Sequence, residues 1–450
     1  MYIAQQIAAN AVNQVLSGRN LGLALTSALA QFPEATQQQR GAAQDLSYGT
    51  LRFYGEIDAY VYQLLEKPLT DGRIHTLLLV AIYQLLHDKA DSFTVVNQAV
   101  HAVSQLKKPA PKTWAKGLVN AILRNFLRKK EELAKALNGN LQAHFSYPQW
   151  WIDKLQTQYP NDWEAMLSAG NQHPPMTLRV NVRREKPENY LTLLTRQNIE
   201  ATHLGNEAIM IAKPLPVEKV TGFADGIVSV QDFGAQMAAH LLDAQAGMQV
   251  LDACCAPGGK TSHILELADV QLTALDNDET RLVRVQSNLT RLGLTATLVV
   301  GDAGSADWLT NLPAEAPLFD RILADVPCTA SGIVRRHVDI KWLRREADIA
   351  SFAAQQAKIL PSLWQRLAKG GKLLYVTCSV FNEENQAQVD NFLSQNPDAT
   401  QLPIALPSQL QMPVDALLQM RVLQNTAHTH LQLIPAHSHD GFFYALLQKK

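Results

Sequence analysis

Cysteine is scarce in this chain: four residues in 450, Cys254, Cys255, Cys328 and Cys378, with no CxxC pair among them. That excludes a disulfide framework and the familiar zinc-binding spacings, and the sequence indicates no metal; what remains is reduced, individually placed thiols. Long apolar runs are missing too. None approaches the roughly 18 residues of a membrane span, and the opening MYIAQQIAANAVNQ lacks the basic and apolar blocks of a secretory signal. The expectation is a cytoplasmic protein without a membrane partner. Neither GxGxxG nor a Walker-spaced GK[ST] occurs, so the commonest dinucleotide and polyphosphate cradles are absent. No repeat or low-complexity tract interrupts the chain.

A hydrophobic content of 47% allows large cores, and the length suggests more than one domain. The net charge of −1 hides an asymmetry: residues 1–150 hold 15 Lys and Arg against 10 Asp and Glu, leaving 25 against 31 for the remainder. A basic front joined to an acidic back suits the anchoring of a polyanion, and a solvated helical surface accounts for so small an excess equally well.

Residues 1–138 carry helical apolar spacing in successive segments, among them IAANAVNQVL, IHTLLLVAIYQLL and WAKGLVNAILRNFL. Breaks at Pro33, at Pro68 with Asp71 and Gly72, and at the basic loop Lys107–Lys112 predict an all-α bundle. The last helix sets Arg124, Arg128, Lys129 and Lys130 outside its apolar stripe, as a solvated face or an RNA contact would. Residues 145–235 read as a small α/β module, in which Arg179 and Asn181 alternate with Leu178 and Val180 and so share the polar face of a strand. From 236 to 450 apolar strands alternate with helices (MQVLDA, VQLTALD, TATLVV, FDRILAD, KLLYVT), which predicts a Rossmann-like, mostly parallel sheet.

Chemistry concentrates where those strands end. LDACCAPGGKT makes a strand-to-helix turn in which Gly258 and Gly259 let the backbone approach a ligand. Asp276 ends the next strand, placed like the acidic residue that binds ribose hydroxyls, and Asp302 after the third can accept from an adenine amino group. These loop ends outline a nucleoside site without a phosphate cradle, which suits S-adenosyl-L-methionine. Cys328 in ADVPCTASG and Cys378 in YVTCSVFNEEN follow two later strands. Two thiols at one rim suit covalent addition to a substrate followed by expulsion; buried core cysteines are the plainer alternative. Beyond DVPC, Arg335, Arg336, Lys341, Arg344 and Arg345 form a basic run whose position suits phosphate contact, with a solvated helix start as the plainer reading. The histidine pairs His428/His430 and His437/His439 lack a further ligand template and read as loop residues.

CAPGGK, DVPC, RRHVDIKW (Arg335–Trp342), TCS with NEEN (Thr377–Asn385) and DGFFYA (Asp440–Ala445) occur in the order found in the RNA cytosine-5 methyltransferase family, which the C-terminal half resembles throughout. The front half, with GTLRFYGEID and GLVNAILRNF, resembles the NusB-like RNA-binding domain. Together they imply a bacterial methyltransferase whose partner is 16S rRNA, acting as a monomer on a cytosine in a hairpin loop. The resemblance further implies that Cys378 adds to carbon 6 of the base, that Cys328 serves the later release, and that Asp325 holds the N3 and amino edge. Cys254, Cys255, Ala256, Pro257, Gly258, Gly259, Lys260, Asp276, Asp302 and Asp325 would line the cofactor site, with Lys260 near the cofactor's carboxylate. Arg179, Asn181, Arg335, Arg336 and Lys341 would touch RNA. Residue type alone leaves open which thiol is the nucleophile. Val326 and Val338 depart from the family's usual Ala and Pro. Rival readings are a tRNA or 23S rRNA cytosine methyltransferase, and a non-catalytic RNA-binding assembly factor.

Overall fold

A computed structural model describes residues 2–106, 114–312, 318–404, 422–423 and 429–450. The basic loop Lys107–Lys112 and His428 lie outside these residues. The chain forms two compact units: Met1–Gln172 with Val334–Glu346, and His173–Ile333 with Ala347–Lys450.

The first unit is helical. Its helices are α1 (Tyr2–Leu16), α2 (Leu21–Ala30), α3 (Gln37–Arg52), α4 (Tyr54–Leu64), α5 (Gly72–Leu86), α6 (Ser92–Ser104), α7 (Trp114–Ala136), α8 (Leu141–Phe145), α9 (Gln149–Gln158) and α10 (Trp163–Gly170). Their starts carry the side chains that satisfy orphan amides: Asn20 caps α2, Thr36 and Gln39 form a capping box on α3, and Asp71 and Asp91 cap α5 and α6. Helix α5 is buried on nearly every side and sits at the centre of one core with α1 and α7. A β-carbon on Gly49 of α3 would lie 2.0 Å from Tyr83 Cζ of α5, so only glycine allows that approach. The outer face of α7 exposes Arg124, Arg128 and Lys129, as its spacing predicts.

In the second unit, β1 (Met176–Val180), α11 (Pro187–Arg196), β2 (Ala201–Gly205), β3 (Ala208–Ile211) and β4 (Val228–Val230) make an antiparallel sheet in the order β2-β3-β1-β4, with α11 on one face. Next come α12 (Phe233–Leu242), β5 (Gln249–Ala253), α13 (Gly259–Leu267), β6 (Gln271–Asp276), α14 (Glu279–Leu292), β7 (Thr297–Val300) and β8 (Phe319–Asp325). The chain then gives α15 (Ile340–Leu343) to the first unit and continues with α16 (Glu346–Trp364), β9 (Leu367–Thr377), α17 (Gln386–Gln395), β10 (Ala399–Leu402), β11 (Val422–Leu423), β12 (His430–Leu433) and β13 (Phe442–Lys449). Strands β7-β6-β5-β8-β9 are parallel. Strand order reverses on either side of β5, and ligands of such sheets sit outside the strand ends at that point. The antiparallel edge of β10 to β13 was not part of the expected parallel pattern; DGFFYA opens β13, which pairs with β9 so that Phe443 faces Thr377.

The two compact units cut across the three-part reading at 138 and 235 in two places. Helices α8 to α10 fall in the helical unit, where Glu56 N of α4 donates to Ser146 Oγ at the end of α8 (3.0 Å). The basic segment after DVPC also belongs there. Lys341 Nζ donates to the Arg52 carbonyl (2.7 Å) and Asn171 Oδ1 (2.8 Å), and Trp342 Nε1 donates to the Leu51 carbonyl (2.7 Å), which closes the last turn of α3. Asp339 accepts from Leu21 N (2.9 Å) and Asn20 Nδ2 (3.1 Å) at the start of α2. Arg335 and Lys341 are therefore buried, not displayed toward phosphates, and burial beside Arg52 holds the Lys341 amine well below its ordinary pKa. Arg336 alone of the three is part-exposed.

Candidate active site

The ends of β5, β6 and β7 bring the expected nucleoside-binding residues to one cleft, lined by Cys254, Asp276, Asp302 and Pro327 together with Arg281 and Gln355. Local backbone forces explain the turn after β5. Cys254 has a φ of +61° and Gly258 one of +95°, and a side chain on Gly258 would press within 3.1 Å of Val285 on α14. Asp276 Oδ2 accepts from the Ala256 amide at 3.0 Å, and Arg281 donates to the Ala256 carbonyl at 2.7 Å, so the loop is held from the neighbouring strand end. Asp302 Oδ1 accepts from Gly304 N at 2.8 Å. Cys255 is buried and Cys254 partly so; burial, with Asp325 near Cys254 and Asp252 near Cys255, pushes both thiols far above their ordinary pKa, so neither serves as a thiolate.

Asp252, inside β5, is fully buried. Its Oδ2 accepts from Thr261 Oγ1 at 2.6 Å while Oδ1 has no hydrogen bond, and burial raises the carboxyl to about 7 despite the Thr261 bond.

Strands β8 and β9 lie side by side and parallel, with Asp325 opposite Val376, so the segments that follow them converge. Cys328 Sγ and Cys378 Sγ are 3.4 Å apart. Cys328 is buried and Cys378 is more open. The hydrogen bond with Cys378, then burial, pushes the Cys328 thiol well above its ordinary pKa. Beside the pair, Lys260 Nζ bonds Asp325 Oδ2 at 2.7 Å and lies 5.5 Å from the centre of the Phe442 ring. Burial works to lower the lysine, but Asp325 and, further out, Cys378 outweigh it, so the ammonium is retained. Lys260 thus faces Asp325 across the β5 and β8 loops; the sequence pattern had suggested only the cofactor's carboxylate.

The residue that locks the two thiol segments together is Glu384, quoted in NEEN but given no role by sequence reasoning. Wholly buried, it accepts from Thr329 N (2.7 Å) and Thr329 Oγ1 (2.5 Å) next to Cys328, and from Ser379 Oγ next to Cys378. Asn385 joins the lock through Thr377 Oγ1 (2.5 Å) and the Ser379 carbonyl (3.0 Å). The signal was present, since an acidic residue a few positions after a reactive thiol invites such a reading, but its partner Thr329 is 55 residues away.

Arg179 and Asn181 do not face outward as expected. Arg179 is fully buried, bidentate to Glu266 (2.8 and 2.7 Å), and bonded to the Gly259 carbonyl (2.7 Å) and Ser262 Oγ (3.0 Å) at the start of α13. Asn181 bonds the Gly226 carbonyl at 3.1 Å. A buried cation needs a paired anion, and Glu266 supplies it; the pair braces the loop that carries Lys260 and replaces the RNA contact read from the strand. His437 is exposed and His439 buried against the Asp440 carbonyl (2.9 Å), so that pair does not converge.

Comparison with known proteins agrees along the chain. The model of the 16S rRNA methyltransferase RsmB/F family matches residues 239–448, that of the ferredoxin-like domain of RsmF/B-like methyltransferases matches 147–218, and that of the NusB family matches 3–128. The ribosomal RNA small subunit methyltransferase B of Pseudomonas syringae pv. tomato is 41% identical, covering 98% of this chain and 96% of its own. That of Pectobacterium carotovorum subsp. carotovorum is 39% identical over 100% and 99%. The crystal structure of PH0851 shares the fold, with a TM-score of 0.79 at 23% identity over 100% of this chain and 99% of that one.

Proposed function

This chain belongs to the RsmB/F family of 16S rRNA methyltransferases, and from that premise we propose that it methylates carbon 5 of one cytosine in 16S rRNA through a covalent cysteine adduct. The observation that carries the reading is the contact of Cys328 and Cys378 at 3.4 Å beside the Lys260–Asp325 pair. Carbon 5 of cytosine is a weak nucleophile until a thiolate adds to carbon 6. Cys378 is the adding group: it is the more open of the two and lies near the Lys260 ammonium, whereas the contact with Cys378 and burial raise the Cys328 thiol well above its ordinary pKa. Asp325 holds the N3 and amino edge of the base, where charge changes as sulfur adds.

S-adenosylmethionine supplies the methyl group, with Asp276 and Asp302 suited to its ribose hydroxyls and adenine amino group. The cleft at the strand-order reversal fits a nucleoside, since these carboxylates meet donors and no phosphate cradle stands beside them. Once Cys378 is bonded to carbon it no longer shares the hydrogen bond that is the first cause of the raised Cys328 pKa. Cys328 can then give its proton to solvent water and, as the thiolate, take the proton on carbon 5, after which the electron pair left behind expels Cys378 as its thiolate. A base must be unstacked for a thiol to reach carbon 6, which favours a hairpin loop, bound by a monomer in the cytoplasm. Among the described residues no helix is long and apolar enough to cross a membrane.

The test is incubation of the full chain with S-adenosylmethionine and unmodified 16S rRNA, 23S rRNA or tRNA, mapping 5-methylcytosine by mass spectrometry. Methylation of tRNA or 23S rRNA alone overturns the substrate; binding without methyl transfer makes the protein an assembly factor. Cys378→Ser abolishes methylation without an adduct, and Cys328→Ser accumulates a protein–RNA adduct on denaturing gels. The reverse pattern exchanges their roles.

A further inference from the structure

Away from the thiol pair, three chain segments with no common motif bring a carboxylate and two imidazoles together. Glu207 precedes β3, His240 lies on α12 and His263 on α13, and their ligand atoms all fall within 4.8 Å of one another. Glu207 Oε1 is 2.8 Å from His240 Nε2 and is also the ion-pair partner of His263. We infer that Glu207, His240 and His263 form a binding site for a divalent transition metal of the zinc class, clamping the antiparallel sheet to α12 and α13.

Three observations carry this. The donor set of two nitrogens and one carboxylate oxygen suits zinc-type ions, whereas calcium and magnesium require oxygen-rich shells. The geometry is right for ligands: Glu207 Oε1 is shared by both imidazoles, and the three ligand atoms come from three separate elements to within 4.8 Å of one another. Finally, His263 is wholly buried, its Nε2 lies against Glu207 and its Nδ1 has no hydrogen bond, which is costly for a group with no further purpose. Arg179 is the nearby cation and is matched by Glu266, so the site retains the net charge of Glu207. His240 also lines an open cavity with Asp243 and Ile264, which gives an ion a way in and a water room for the fourth position. Because α13 starts at the cofactor turn and carries Lys260, a bound ion would stiffen the helix from which the active-site ammonium projects.

Untagged full-length protein, stripped with a chelator and dialysed, is titrated with Co²⁺ and, in parallel, with Zn²⁺ monitored by calorimetry. The expected result is saturable binding of one ion per chain, visible Co²⁺ ligand-field bands of a low-coordinate N/O site, and a raised melting temperature. His240→Asn, at a partly exposed position that leaves the fold in place, and Glu207→Gln each weaken binding by roughly 100-fold; the surface variant His437→Asn leaves it unchanged. No saturable binding overturns the proposal, leaving an ion-paired triad only. Binding that survives His240→Asn at full strength, or is lost in His437→Asn, overturns it equally.

Discussion

At the scale of single residues, the thiol pair depends on charges that the two cysteines do not supply. Lys260 is the cation near Cys378, and its removal would take the positive charge from the adding sulfur and leave Asp325 unpaired. Lys260→Met should lower kcat by about 100-fold, with Lys260→Arg keeping part of the activity; an unchanged kcat would remove Lys260 from thiol activation. Asp252 presents the opposite sign. Folding raises its carboxyl to about 7, from about 3.9 in an unfolded chain. The folded state therefore binds the extra proton, and the stability this confers is whole below about pH 4 and lost as pH rises through 7. Asp252→Asn keeps an acceptor for Thr261 and should flatten the decline, the difference at pH 8 being on the order of a few kcal/mol in urea unfolding. Parallel pH profiles for the two proteins would mean that Asp252 is ionised in the fold.

At the scale of elements, the site is a meeting of strand ends whose loops are held by glycines and one carboxylate. Gly332 N donates to the Cys378 carbonyl (2.8 Å), and its own carbonyl accepts from Gly441 N (2.9 Å), so the segment after Cys328, the turn after β9 and the approach to β13 touch backbone to backbone. A β-carbon on Gly332 would sit 2.3 Å from the Gly441 carbonyl oxygen, and backbone cannot swing aside as a side chain does. Gly332→Ala should cost about 1 to 3 kcal/mol and lower kcat far more than RNA affinity; a variant with normal turnover would show that this junction tolerates opening. The strands themselves were legible, since apolar runs ending in Asp276, Asp325 and Thr377 mark both strand and rim. What could not be read was partnership across long separations. Glu384 meets Thr329 from 55 residues away, Arg179 meets Glu266 from 87, and the cluster of Glu207, His240 and His263 has no shared motif. Alternation placed Arg179 correctly on the polar face of β1, but alternation says nothing about whether that face is covered, and here α13 covers it.

At the scale of the whole molecule, chain order and compact units part company at residues 334–346. Charge and a position just beyond DVPC made RRHVDIKW look like an RNA contact, because sequence gives the sign of a side chain and not the helix end it docks against. In the helical unit the segment supplies what helix termini lack: Asp339 for the amides that open α2, Lys341 and Trp342 for the carbonyls that close α3. Arg335 adds its carbonyl to Arg52, whose guanidinium also holds the Gln172 carbonyl at 2.7 Å. Val338 is buried in the same core, so an apolar residue at that position keeps the packing whatever its shape does to the local turn. Residues 1–172 by themselves would leave these helix ends without partners, each unsatisfied buried group costing about 1 to 3 kcal/mol. A fragment of residues 1–172 should therefore fold with a lowered melting temperature, and a peptide of residues 334–346 added in trans should raise it saturably. The same peptide carrying Asp339→Ala, Lys341→Ala and Trp342→Ala should do nothing. A fragment indifferent to the peptide would mean that the bundle closes its own helix ends, and that the segment gains from the unit more than it gives.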